Sequence, residues 1–411
     1  MRTTTMGICS LLLSFGLQAA EPLTLGLNEP RTGNYKAEAL ELRQGALLAI
    51  DRVNAEGGVL GRPLALSSLN AAGDADRARD NVDQFASRGV RMVFGGATSE
   101  EALAAGARAR ERGVLYFPTL AYANEVTGRH GHRYLFREAN SAWMSAKVLG
   151  QYLSWHQPRR RYHYVFLDDA WGRSMEEALR QATGSRDRAR NGYTAIAPGS
   201  RREQIAAALE KAKASSAESL VVILLGNDLV QAMQIAHGLQ LGQRMQLIVP
   251  NLTPSVIQQA GPAVMENVIG TLAWTWQVPK LKQNPEGEAF VEAYLAANGS
   301  YPGPTAASAY GIVREWAEAV RRAGSQDPEA VIAALEGHRY RRLKDEQQWR
   351  AFDHQNVQSI FAVKVRRRAE LQAQDHQRQD YFRIIHEMSG EDAAPSQDDW
   401  EQERGEELTL N

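Results

Sequence analysis

Six short apolar runs separated by longer amphipathic segments set the tightest limit on what this chain can fold into. The runs lie at 64–69, 90–94, 114–117, 162–167, 219–225 and 246–249. Helical spacing recurs near 74–87, 100–112, 142–156, 172–183, 201–213 and 228–241. Such alternation builds parallel sheets wound by right-handed crossovers, the α/β class. Runs such as Val221-Val222-Ile223-Leu224-Leu225 suit strands covered on both faces. An earlier run, Leu23 to Leu27, leads through a turn-rich loop at 28–35 into an amphipathic helix near 40–54. There Ala46, Leu47, Ile50 and Val53 recur at three- and four-residue intervals, so one side packs on a sheet. The series breaks near 137–141 and restarts at Trp143. It returns after 268–274, where long helices at 285–297 and 305–323 follow. Two doubly wound lobes are therefore predicted.

The N-terminus reads as an export signal over residues 1–20. Arg2 is its basic region, 8–17 its apolar stretch, and Gln18-Ala19-Ala20 its small-residue exit. The single cysteine, Cys9, falls inside it, so the exported chain has no disulfide and no thiol nucleophile. Bulky Ile8 before Cys9 argues against a lipidated start. A formal charge of −1 gives no concentrated basic face for nucleic acid. Residues 391–411 carry eight acidic side chains against Arg404 alone, which predicts a solvated, disordered tail. Tyr381-Phe382-Arg383-Ile384-Ile385 before it is apolar enough to dock on a lobe.

In open parallel sheets, ligands sit beyond the carboxyl ends of strands. Phe94-Gly95-Gly96-Ala97-Thr98-Ser99-Glu100-Glu101 is the strongest such loop. Thr98 or Ser99 can cap the next helix, Glu101 completes a capping box, and free amides there suit a carboxylate. Capping and binding are both open to this loop. Thr119 and Tyr122 follow the next strand. Trp171 follows Asp168-Asp169, which either cap a helix or line a cleft rim; its ring either covers a ligand or packs loop to helix. Asn227 and Asn251 end two further strands. Trp274 and Trp276 flank Thr275 where the chain changes lobes, either as an aromatic wall or as a hinge cover. Tyr35 closes the first loop. His130-x-His132 is read as a solvated loop, not a metal site. No G-x-x-x-x-G-K-[ST] loop, G-x-S-x-G elbow or His-Glu-x-x-His helix occurs, so no enzyme chemistry is predicted.

The run Gln44-Gly45-Ala46 through Ala49-Ile50-Asp51-Arg52-Val53-Asn54, ending in Gly57-Gly58-Val59-Leu60-Gly61, resembles the opening of periplasmic branched-chain amino-acid-type binding proteins. The resemblance covers about 23–365. It implies a type I periplasmic binding fold with a three-segment hinge, whose third crossing lies around 340–344. The lobes would comprise 21–138 with 273–342, and 139–272 with 343–390. It further implies a periplasmic monomer without cofactor that captures a small solute and meets an inner-membrane ABC permease. In relatives the serine matching Ser99 holds the ligand carboxylate. The matching threonine of the next loop is Ala121 here, and the acid that takes the ammonium is replaced near Asn251. Both departures lead away from an ordinary branched-chain amino acid, while Trp171, Trp274 and Trp276 would suit an aromatic or other compact apolar acid; the solute expected is a small carboxylate-bearing one, an amino acid or an aromatic or apolar acid. An amide or urea-type solute, or a ligand sensor with a protein partner, is the alternative. Arg350-Ala351-Phe352-Asp353-His354-Gln355 resembles a late element of these proteins, where it is structural.

Overall fold

The computed structural model describes residues 20–373, 379–405 and 409–410 of the 411-residue chain. Residues 1–19 of the expected signal lie outside them. The first series runs β1 (Leu23–Glu29), α1 (Lys36–Ala55), β2 (Leu64–Asn70), α2 (Ala75–Ser87), β3 (Met92–Gly95), α3 (Ser99–Arg112) and β4 (Leu115–Pro118). Its strands form a parallel sheet in the order β2-β1-β3-β4. β3 and β4 are buried along their whole length, as expected of strands covered on both faces.

The second series holds α4 (Ala142–His156), β5 (Tyr162–Leu167), α5 (Ala170–Ala182), β6 (Gly192–Ile196), α6 (Arg202–Ala214), β7 (Ser219–Ile223), α7 (Gly226–Gly238), β8 (Gln246–Val249), α8 (Pro254–Ala260) and β9 (Ile269–Leu272). The chain then crosses back. α9 (Val278–Leu281), α10 (Pro285–Asn298), α11 (Pro304–Ala323) and α12 (Pro328–Leu335) follow, and α11 lies along α1. Gly45 permits that approach: a Cβ there would sit 2.1 Å from the Ala306 carbonyl oxygen. β10 (Arg339–Tyr340), β11 (Gln347–Trp349) and β12 (Asn356–Val357) make a small antiparallel sheet. β13 (Ile360–Val365), α13 (Arg368–Gln372) and β14 (Phe382–Met388) rejoin the second lobe.

The second sheet has the order β14-β13-β9-β8-β7-β5-β6. It departs from a purely parallel winding, because β13 pairs antiparallel with both β9 and β14. The chain enters β13 from the hinge and not through a crossover helix, so it runs the other way.

Three crossings meet at the hinge. Arg137, 1% exposed, donates from Nε to Gln355 Oε1 at 2.7 Å and from Nη2 to Thr127 Oγ1 at 2.8 Å. The His354 ring stacks on Phe136 at 3.8 Å, and Arg350 pairs with Asp353. The Asp353-His354-Gln355 element thus ties the third crossing to the first. Buried Lys344 ties it to the second, donating to the Ala273 and Ser359 carbonyls at 2.6 and 2.7 Å.

The acidic segment after residue 390 is not disordered where it is described. It forms α14 (Gly390–Ala393) and α15 (Gln397–Arg404). Ala393 and Ala394 pack with Met144, Val148 and Val357. Trp400, 3% exposed, donates from Nε1 to the Thr127 carbonyl at 2.8 Å. Arg404 donates to the carbonyls of Gly128 and Gly131 at 2.7 and 2.9 Å. Trp400 and Arg404 are four apart and share one helix face, a pattern that average composition conceals.

Candidate functional site

The order of each sheet reverses around a switch point, and the loops there face one crevice. After β1, β3 and β4 come Tyr35, Ala97, Leu120 and Tyr122. After β7 and β8 come Leu225, Gly226, Asn251 and Thr253. With Glu38 and Val256, these residues leave a cavity of about 10 Å³ between the lobes, room for about one water.

The crevice is shut. Asn227 N donates to the Asn34 carbonyl, and Asp228 N to Asn34 Oδ1, each at 3.1 Å. Ala170 N donates to Glu100 Oε1 at 2.8 Å, and Asn124 N to Ser174 Oγ at 2.9 Å. Ser255 Oγ donates to Glu38 Oε1 at 3.2 Å across the same gap. Gly226 sits on the seam with φ +55°, and a Cβ there would lie 2.5 Å from the Asn34 carbonyl oxygen. Tyr35 borders both the enclosed space and an outer mouth lined by Thr98, Glu100, Asp169 and Asn227.

The structure brings Tyr35, Tyr122 and Asn251 to the enclosed space. The Tyr122 ring lies 6.4 Å from that of buried Trp171, whose Nε1 has no hydrogen-bond partner. Asn251 takes a positive φ of 57°. Its Oδ1 accepts from Asn140 Nδ2 and Ser145 Oγ, both at 3.0 Å, leaving Nδ2 without a partner. Thr98 and Asn227 stand at the outer mouth.

Four expected residues turn elsewhere. Ser99 is 1% exposed, and its Oγ accepts from Ala123 N at 3.1 Å, pinning the loop after β4. Thr119 Oγ1 donates to the Gly96 carbonyl at 2.9 Å. Trp274 donates to the Leu343 carbonyl at 3.1 Å and meets Phe290 edge-on. Trp276 stacks on Tyr301 at 4.1 Å. Neither tryptophan lines the enclosed space, because the chain turns at 276–277 and the strand-like alternation ends. His132 is also buried, at 6% exposure, where burial and Arg110 push its pKa down to about 4. No group of metal-ligating side chains occurs among the described residues.

Carboxylates dominate the electrostatics. Thr98 caps α3 through Glu101 N at 3.0 Å, and Glu101 Oε2 accepts the amides of Ala97 and Thr98. The seat expected for a ligand carboxylate thus holds the protein's own. Burial pushes Glu101 up to about 7 against those amides. Asp169 caps α5 through Gly172 N at 2.7 Å, and burial raises it to about 6. Sequence reasoning missed Glu38 and Glu41. Burial raises Glu38, while Glu41 rises to about 8 through burial and then Glu38. One oxygen of each, Oε2, has no hydrogen-bond partner. The available clue was spacing: Glu38 shares a stripe with Leu42, Ala46, Ala49 and Val53, an acid at the head of an apolar face.

Residues 22–370 match the family described as periplasmic binding protein. A Leu/Ile/Val-binding protein homolog of Brucella melitensis is 23% identical over 323 residues, covering 78% of this chain and 84% of its own length. A periplasmic binding protein from Burkholderia mallei superposes with a TM-score of 0.80 at 20% identity, covering 92% of this chain and 98% of its own. An amino acid ABC transporter substrate-binding protein from Pseudomonas fluorescens gives 0.79 at 22%, covering 90% and 96%.

Proposed function

The chain belongs to the periplasmic binding protein family, and from that premise we propose that it captures a small solute for an ABC importer. One observation carries this reading. Strand-end loops of both lobes meet along one narrow crevice, and direct hydrogen bonds cross it. A solute touching both walls stabilises the shut form by its differential contacts, and that form is what an inner-membrane permease would engage. The family points to a periplasmic location, and no helix among the described residues is long and apolar enough to cross a membrane.

When the lobes part, Leu120, Tyr122 and Val256 would offer an apolar wall to the body of a compact solute. A carboxylate on that solute, as Ser99 implied, has less support. Ser99 Oγ holds a backbone amide, Glu101 fills the amide seat, and among the described residues lining the space none is basic. Binding and release leave the solute unchanged. Screening amino acids, amines, amides and aromatic acids by thermal shift, followed by small-angle scattering, tests the proposal. At least one solute should raise the melting temperature saturably and hold the compact form. A protein whose shape and stability respond to none of them would refute it.

A further inference from the structure

We propose that shutting the crevice takes up protons, so that acid closes the lobes on their solute and alkali parts them. The inference rests on the importer reading and adds its regulation. Closing brings acids of both lobes into one seam. Glu100 of α3 accepts from Ala170 N of α5 at 2.8 Å, and Glu38 of α1 accepts from Ser255 Oγ at 3.2 Å. Asp228 of α7 accepts from Asn34 Nδ2 at 3.4 Å. Each crossing sets a carboxylate against a neutral donor. Among the described residues that line the outer mouth, Glu100 from one lobe meets Asp168, Asp169 and Asp228 from the other. Among the same residues Arg173 alone is basic, and Asp168 holds it at 2.6 Å. Like charges driven together in a half-buried seam favour the protonated form of one of them.

Asp169 answers most directly. It caps α5 through Gly172 N at 2.7 Å, beside the Ala170 amide that Glu100 occupies. One helix N-terminus therefore receives two carboxylates, one from each lobe. Facing Asp169 are Glu100 of α3 and Tyr35 of the loop after β1, with Asp168 and Arg173 on its own side. Burial first, and after it Glu100 and Asp168, hold Asp169 at about 6 against the Gly172 amide and Arg173. Burial also raises Asp228, which faces Tyr35, and Glu38, which faces Glu41 and Tyr122. Parting the lobes takes Glu100 and Tyr35 away from Asp169 and returns it to water. A carboxyl raised in the shut form stabilises that form fully below its open-form value, and the gain is lost as pH rises through about 6. With 3.8 as the open-form value, Asp169 alone raises the shut-to-open ratio about ninefold between pH 7 and pH 5.

Small-angle scattering of the free chain at pH 5, 6, 7 and 8, at one ionic strength, tests this. The shut-to-open ratio should rise at least threefold from pH 7 to pH 5. Asp169→Asn keeps the helix cap and has no carboxyl to titrate, so its profile should flatten, whereas Glu100→Gln should move the midpoint to lower pH. The wild-type profile stands even if a variant misfolds. A smaller change, a chain open at every pH, or an Asp169→Asn profile like that of the wild type would overturn the proposal. A chain shut throughout is decided by carboxyl-carbon NMR of Asp169: titration at about 6 supports the proposal, and titration at about 4 overturns it. The two readings fail separately. Lobes that close on a solute equally at pH 5 and pH 8 remove the proton and keep the importer, whereas a shape indifferent to pH and to every solute in the wider screen removes both.

Discussion

Replacing Gly226 by alanine should prop the lobes apart. Its new methyl would meet the Asn34 carbonyl oxygen at 2.5 Å and Tyr35 Cδ1 at 3.1 Å. Ordinary contact needs about 3.5 Å, so the lobes must separate by about 1 Å along the seam. That stretches the 3.1 Å bonds from Asn227 N and Asp228 N to Asn34 beyond hydrogen-bonding range. Each contributes about 0.5–1.5 kcal/mol, so the shut form loses about 1–3 kcal/mol relative to the open one. The cost of alanine at φ +55° falls on both forms and cancels between them. Solute affinity should drop roughly 5- to 150-fold, while the melting temperature of the free protein changes less than that of the complex. Fluorescence titration gives the affinity and small-angle scattering the fraction shut. Affinity within twofold of wild type, with the same compact form, would show that the seam does not contribute to closure.

Other substitutions probe the rest of the site. Glu41 has a folded pKa of about 8 against a reference of 4.5, so its favourable protonated contribution is complete below 4.5 and is lost as pH rises through 8. Wild-type stability should therefore fall between pH 4.5 and 8 by up to about 5 kcal/mol from this group, and Glu41→Gln should flatten the urea-denaturation profile; parallel profiles would contradict it. Glu101→Ala leaves the Ala97 and Thr98 amides unpaired and should cost about 2–4 kcal/mol in the same assay, with Glu101→Gln milder. Trp400→Ala should release α15 at a cost of about 3 kcal/mol, seen as faster protease cleavage near 394–396 while the lobes stay folded; an unchanged cleavage rate would mean that the indole does not anchor the helix.

The periodic parts of the fold were legible in the sequence. β5, β8 and α4 occupy the residues that apolar spacing assigned, at 162–167, 246–249 and 142–156. Edge strand β6 was not, because it alternates in burial and carries no continuous apolar run. Tyr122 and Asn251 lie at the crevice because they follow β4 and β8, so their place there is legible from strand order. The hydroxyls of Ser99 and Thr119 take partners from loops whose path depends on tertiary packing, which spacing alone does not reveal. Glu38 was hidden for a local reason. α1 begins at Lys36 without a side-chain cap, so no capping signal marked the turn that contains it.

The two terminal helices have a mechanical consequence. α14 is seated on the lobe that carries α4, and α15 on the loop after β4. Only residues 394–396 join them, a leash that reaches at most about 14 Å when taut. Any gaping of the jaws must therefore swing about this edge, widest on the side of Asn34 and Gly226 and narrowest here, unless the indole lets go.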